Sequence, residues 1–458
     1  MDNEIAATRI LLVEGIGILA LVLALMAPLG LSLVTMGCGR FRNRFANLGA
    51  SVLLFPFVFV VSYLFGWMFS FAFASGPGFT GGFQSAWHAA PWGDRLGPGF
   101  HQTESGAFST DTQDFIRFVL LGWLACVILA GAVLERIKIG GLLLLATLLS
   151  GFCGSLAVGW GWSERGWMVA LMGYHDPVGA TTIATLAGGF ALGVLRILGP
   201  RIASVDDSGQ THGIGPNSAG LVLAGHTLFL LGLIGMILAS VELAAPVQLG
   251  EVTQYVAATV YGAPTDPAGQ VLNLIAAVMG GLMIGSILTH ADITRTMTLT
   301  IASVIGTLPA SDFFNPLQTV LLAMFFAWVC GNARDWLERK FNLDDVTGSV
   351  ALFGFSGFWG LVISGILLWG IPVSTVPAYV HINPFGNTTA AMILFWVLGF
   401  IPGNIAARIL RYAGGLRIDR TLELVGHDLE VLRDVEDTTS AAYMREDRYV
   451  REEFQERP

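Results

Sequence analysis

Apolar runs close to twenty residues long recur along nearly the whole chain, and no other feature limits its fold so sharply. Residues 9–36, 47–73, 114–134, 139–160, 177–198, 218–241, 268–289, 294–308, 316–333, 347–370 and 389–410 each form one run between polar breaks. A helix needs ~20 apolar residues to cross a bilayer core. Inside lipid only helices and closed barrels satisfy their own backbone groups. Composition agrees, with 54% hydrophobic and 12% charged residues, about half the charge of a soluble domain. The expected fold class is therefore an all-α polytopic membrane protein with eleven transmembrane helices, and its first partner is the lipid bilayer. The eighth run is the shortest. The N-terminus MDNEIAATRI is acidic, and the run behind it is too long for a signal-peptide core.

Basic residues test the count. Arg40, Arg42 and Arg44, then Arg136 and Lys138, Arg196 and Arg201, Arg295, and Arg334, Arg339 and Lys340 fall in odd-numbered loops or at their edges. Arg408, Arg411, Arg417 and Arg420 follow the last run, whereas even-numbered loops hold only Arg95 and Arg165. Basic loops stay in the cytoplasm, so the N-terminus is expected outside and the C-terminus inside a bacterial inner (plasma) membrane. The net charge of −9 owes much to acid in the tail, and no basic patch points to a nucleic-acid partner.

Two stretches repeat. Asp176 begins DPVGATTIATLAGG and Asp345 begins DVTGSVALFGFSGF, each aspartate leading a run and each followed twelve residues on by glycine, Gly188 and Gly357. The two aspartates start runs that cross in opposite directions, which makes a five-plus-five inverted repeat with one extra helix. Such plans place a transport pathway between the halves. The expected domains are a transmembrane unit 1–411, with halves near 9–198 and 218–370 and the extra helix 389–410, and a cytoplasmic tail 412–458. That tail is charged, and Tyr449, Val450 and Phe454 lie spaced among its charges, so it reads either as a solvated end or as a strip that orders against a partner.

Four scattered cysteines, Cys38, Cys126, Cys153 and Cys330, include no close pair and read as free thiols. No metal-ligand spacing, nucleophile triad or phosphate loop is present, so neither an enzyme nor a cofactor is expected.

With these motifs in view, the chain resembles the ammonium transporter/Rhesus (Amt/Rh) family. MAPLGLSLVTMGCGR in the first run, LERIK at 134–138, ILGPRI at 197–202, FNLDD at 341–345 and GHDLEVL in the tail are similar to that family's motifs, in order. The resemblance implies a homotrimer with one narrow hydrophobic pore per subunit. In the family, a histidine stands eight residues after each repeat aspartate, and the two handle ammonium's proton in mid-pore. Here those places hold Ala184 and Phe353. The family's two gating phenylalanines fall on Leu121 and Met236, and its asparagine after the second gate on Ile237. An aromatic residue of its cation-recruiting vestibule aligns with Arg117. Ser240 and Asp176 stay, and the vestibule tryptophan falls on Trp160 or Trp162.

The substitutions share a direction. Leucine and methionine offer a cation no aromatic face, Arg117 adds a fixed positive charge, and Phe353 adds a ring where a polar group stood. Asp176 followed by Pro177 reads as a helix cap. His226 reads as a histidine hydrogen-bonded between helices, Glu135–Arg136 as an interfacial pair, and His175 as solvated at the outer surface. Two functions remain open. One is a non-conducting scaffold, sensor or accessory subunit of a membrane assembly. The other is a working channel for ammonium, ammonia or another small neutral solute.

Overall fold

The computed structural model describes residues 2–73, 111–162, 166–202, 204, 214–249, 252–373 and 380–428. The far tail with Tyr449, Val450 and Phe454 lies outside them. Among the described residues, ten helices are long and apolar enough to cross a membrane: α1 Val13–Cys38, α2 Phe41–Ala72, α3 Thr112–Val133, α4 Ile139–Gly161, α5 Ala180–Leu198, α6 Ala219–Ala239, α7 Pro267–Leu288, α9 Pro316–Phe341, α10 Val350–Leu367 and α11 Pro384–Tyr412. The eleventh, α8, is Ile293–Thr307. It can be short because every residue from Thr296 onward is buried by neighbouring helices. A buried span has no lipid thickness to match.

The inverted repeat is visible in backbone detail. Asp176 Oδ1 accepts the Gly179 N–H at 3.2 Å and its Oδ2 accepts the Thr182 N–H at 2.7 Å. Asp345 does the same with Gly348 at 3.0 Å and Val350 at 2.7 Å. Each carboxylate thus satisfies two N–H groups that a helix start leaves unpaired. Each motif needs glycine at its fourth position, because Gly179 has φ 74° and Gly348 φ 78°, a region that costs other residues strain. The helices they launch then cross each other. A Cβ on Gly188 would collide with the backbone of Gly354, and one on Gly357 with the Thr185 side chain. The residue twelve positions after one aspartate meets the residue nine positions after the other, as a two-fold relation requires.

Two features were not legible beforehand. Between α6 and α7, where no apolar run falls, β1 Val241–Leu249 pairs antiparallel with β2 Val252–Thr259. The strands' β-branched residues either side of Gly250, with Tyr255 in the second strand, carry the signal. The helices also loosen into π-helical turns at Ser62–Gly66, Leu149–Gly154, Val350–Phe355 and Ile393–Phe400, which apolar periodicity does not reveal.

The face carrying the ends of α1, α3 and α5 is held by an ionic network. Glu135 departs from ordinary geometry, with φ 71°. It accepts from the Arg40 backbone and guanidinium and from Arg201 Nη1 at 2.9 Å. Arg201 also forks onto Asp344, with Nε and Nη2 at 2.7 and 2.8 Å. Arg136 lies 3.6 Å from Asp344 and donates to the Gly199 and Asp344 carbonyls. Glu135 and Arg136 therefore do not pair with each other at an interface, as the sequence suggested. Both are buried and bind different partners, because the left-handed turn at Glu135 points the two side chains apart. Burial alone would push the Asp344 carboxyl up; Arg136 and Arg201 beside it hold it well below the usual range. Glu135 is likewise held down by Arg201 and Arg40 against the effect of burial. The start of the tail closes onto this face: Arg417 pairs with Glu423 at 3.0 Å, Glu423 accepts the Ile202 N–H, and Asp428 accepts the Phe45 and Ala46 N–H groups.

Candidate pore

At the opposite end of α3, Arg117 turns inward. Its guanidinium carbon lies 5.0 Å from the centroid of the Trp162 ring. The same group donates to the Ala239 carbonyl at the end of α6 and pairs with Asp114 one turn earlier. Trp162 is fixed beneath it, because Nε1 donates to the Pro177 carbonyl at 3.0 Å and its ring packs against Gly179. The aspartate motif thus sets the tryptophan, and the tryptophan seats the arginine. Of the two candidate tryptophans, Trp162 occupies this position. Trp160 packs on Trp167 and donates to the Phe73 carbonyl instead.

Arg117, Trp162, Leu121 and Met236 line one cavity together with Ala24, Leu120, Val178 and Ala239. Its volume is about 10 Å³, at the lower limit for a single water. Asp114 balances the charge of Arg117, and the guanidinium covers the face of the Trp162 ring. Ser240 caps α6 and spends its hydroxyl on the Ile237 carbonyl at 2.8 Å.

Further in, Ala184 and Phe353 are both buried on the two helices that cross at Gly188 and Gly354. Phe353 meets Phe229 edge to face, with centroids 5.9 Å apart. Phe229 was missed by the sequence reading. Its signal was position, seven residues before Met236 and so on the same helix face. Ile237 is fully buried and apolar.

Asp176 is wholly buried and accepts from the Thr182 hydroxyl at 2.7 Å in addition to its two N–H groups. The Tyr261 hydroxyl, just past the hairpin, lies 2.9 Å from both the Asp176 and Gly161 carbonyls and accepts the Asp176 N–H. His175 is not solvated as expected. It is fully buried, with Nε2 3.1 Å from both Asp312 oxygens and its ring against Tyr261 and Phe313. The last residues of α8 and the turn after it bring Asp312 there, a long-range contact that no local pattern encodes. His226 is buried on α6, and its Nδ1 has no partner among the described residues. Glu14 is exposed. The four cysteines are free, and the described residues contain no cluster fit to hold a metal.

Eleven helices in inverted halves define a polytopic all-α integral membrane protein. The sequence profile of the Ammonium Transporter Family matches residues 16–436, and the chain belongs to that family. It is 25% identical over 314 residues to the Ammonium transporter Amt2 of Methanocaldococcus jannaschii, covering 67% of this chain and 66% of that protein. The matched stretch thus spans about two thirds of that relative's length. Its fold matches a Sensor Amt Protein with TM-score 0.73 and 18% identity, over 93% of this chain and 98% of the other. It also matches Rh50 of Nitrosomonas europaea with TM-score 0.63 and 15% identity, over 96% and 98%.

Proposed function

We propose that this member of the family does not carry ammonium by a twin-histidine route and serves in the membrane as a scaffold, sensor or accessory subunit. The observation that carries the reading is the Arg117 guanidinium seated on Trp162. A cation gains ~1–2 kcal/mol from a desolvated aromatic face, and here the protein's own cation takes that gain. Leu121 and Met236 beneath it offer no second face. Below them Phe353 against Phe229 supplies no hydrogen-bonding group to accept a proton. An ammonium ion passing this stretch loses its hydration with nothing in return, and that cost is prohibitive in an apolar path.

The same reading takes the protein as a homotrimer in a bacterial plasma membrane, with its ionic face in the cytoplasm. Arg40, Arg136, Arg201 and Arg417 all gather on that face, which is the charge bias that orients membrane proteins. Its transmembrane unit is residues 1–411, and the tail from 412 is the natural contact for a cytoplasmic or membrane partner. The test is ammonia-driven internal alkalinisation of proteoliposomes, set against protein-free vesicles and an Ala184→His/Phe353→His double variant. Neither protein is expected to exceed the empty vesicles while Arg117 and the altered gates remain. Faster alkalinisation by the parent would overturn the reading.

A further inference from the structure

A cavity of about 630 Å³ opens between α5, the end of α9, and the π-helical turns of α10 and α11. That is the size of a small-molecule site, yet it has no part in the pore described above. Its walls are almost wholly apolar and rich in aromatic rings, among them Trp336, Phe355, Trp359, Phe395 and Trp396. Trp336, Trp359 and Trp396 are each roughly half exposed, so the cavity is a groove on the outside of the helix bundle. The two π-helical turns, Val350–Phe355 and Ile393–Phe400, both contribute rings to it. Such turns widen a helix and often mark functional sites.

One end of the groove is polar. Among the described residues, Arg196 is the only charged one lining it. Its side chain is exposed and makes no hydrogen bond or ion pair among the described residues. Asn342 shares that rim, and Arg411 reaches the Ile197 carbonyl beside it. These groups stand at the ionic face, at the level where α5 ends and headgroups lie.

We propose that the groove is a binding site for one phospholipid with an anionic headgroup, its acyl chains among the tryptophans and its phosphate on Arg196. An apolar groove of this depth facing a bilayer gains dispersion contacts only when hydrocarbon fills it. An unpaired guanidinium at its mouth calls for an anion that forks onto it. Basic pockets between helices on the cytoplasmic side take anionic lipid headgroups for this reason. The chemistry is thus an amphiphile with a negative head, and the source is the leaflet itself.

The purified protein is titrated in detergent with dioleoyl phosphatidylglycerol or dioleoyl phosphatidylcholine, and bound lipid is counted by native mass spectrometry. A third arm uses inorganic phosphate alone. One phosphatidylglycerol per chain is expected to stay bound, with affinity about fivefold above phosphatidylcholine, and phosphate alone is expected not to bind. Arg196→Ala should erase the preference without unfolding the protein, since Arg196 holds no other residue. In parallel, phosphatidylglycerol brominated on its chains should quench tryptophan emission of the parent, and less so in a Trp359→Phe variant. Equal retention of both lipids, an unchanged preference in Arg196→Ala, or quenching indifferent to Trp359→Phe would each overturn the proposal. If another copy of the chain covered the groove, tryptophans there would be shielded from brominated lipid in the oligomer, which also overturns it.

Discussion

Arg201 and Arg117 are both partly or fully enclosed arginines near opposite ends of the same bundle, and they are built differently. Arg201 is 2% exposed in its side chain and forks onto Asp344 while also reaching Glu135. Every partner belongs to a different chain segment, so this arginine ties α3, α5 and the loop before α10 together. Arg117 is half-buried, touches Asp114 on its own helix, one carbonyl of α6 and one indole face. Removing the first leaves Glu135 with Arg40 alone and Asp344 with the more distant Arg136 alone. Removing the second leaves an open aromatic face and a carboxylate near the surface. One arginine holds the fold and the other occupies an entrance.

The largest effect should come from Arg201→Ala. Breaking a buried pair outright costs ~3–5 kcal/mol; Arg40 and Arg136 soften that loss, yet folded yield and the thermal midpoint in detergent should both fall sharply. A midpoint within a degree of the parent would show that the network is ornamental. Next come Asp176→Ala and Asp345→Ala. Each strands one buried N–H, that of Thr182 or Val350, since Gly179 and Gly348 keep the aspartate's backbone carbonyl; the loss is ~0.5–2 kcal/mol for a cap and more where water cannot substitute. Similar losses for the two are expected from their matched geometry. If Asp176→Ala were as stable as the parent but changed solute flux, the aspartate would belong to the pathway and not the scaffold.

Acid sharpens the same contrast. Asp344 and Glu135 are held below their ordinary range by Arg136, Arg201 and Arg40, against burial. Groups depressed in this way add stability that is present above their unfolded values, near ~4. It is lost as pH falls through the folded values. The thermal midpoint should therefore drop as pH is lowered from about 5 toward 3, and the drop should shrink in the Arg201→Ala variant. The smallest effect is that of Arg117→Ala on stability, under ~1 kcal/mol, since its ion pair is partly exposed. That variant should instead alter the near-ultraviolet signal of Trp162, and a large loss of stability would make Arg117 a second structural arginine.

The scaffold was legible in the sequence because it rests on local rules. Span length, basic-loop alternation and the two Asp-x-x-Gly starts each act within a few residues, and the eleven helices follow. The eighth run is short because the hydrophobic length of α8 is set by neighbours and not by lipid. The hairpin at 241–259 lay hidden between two apolar runs that dominated the reading. At the entrance, the sequence identifies both Arg117 and Trp162 as vestibule residues. Their stacking depends on a tertiary contact that fixes the indole over Gly179. Asp312 and Phe229 escaped notice for the same reason: His175 and Phe353 meet them only after distant helices pack. What Arg117 does was only half legible, since charge suggested repulsion and the geometry favours occupancy.

The most direct measurement is electrical. The unmodified protein is reconstituted in liposomes on a solid-supported membrane and pulsed with ammonium at neutral pH, with protein-free liposomes alongside. No current beyond that of the protein-free liposomes is expected at any ammonium concentration, because the vestibule's aromatic face is already filled and the rings of Phe353 and Phe229 further in accept no proton. A current that rises and saturates with ammonium would contradict this, and would mean that a cation passes Arg117, Phe353 and Phe229 by a route of another kind.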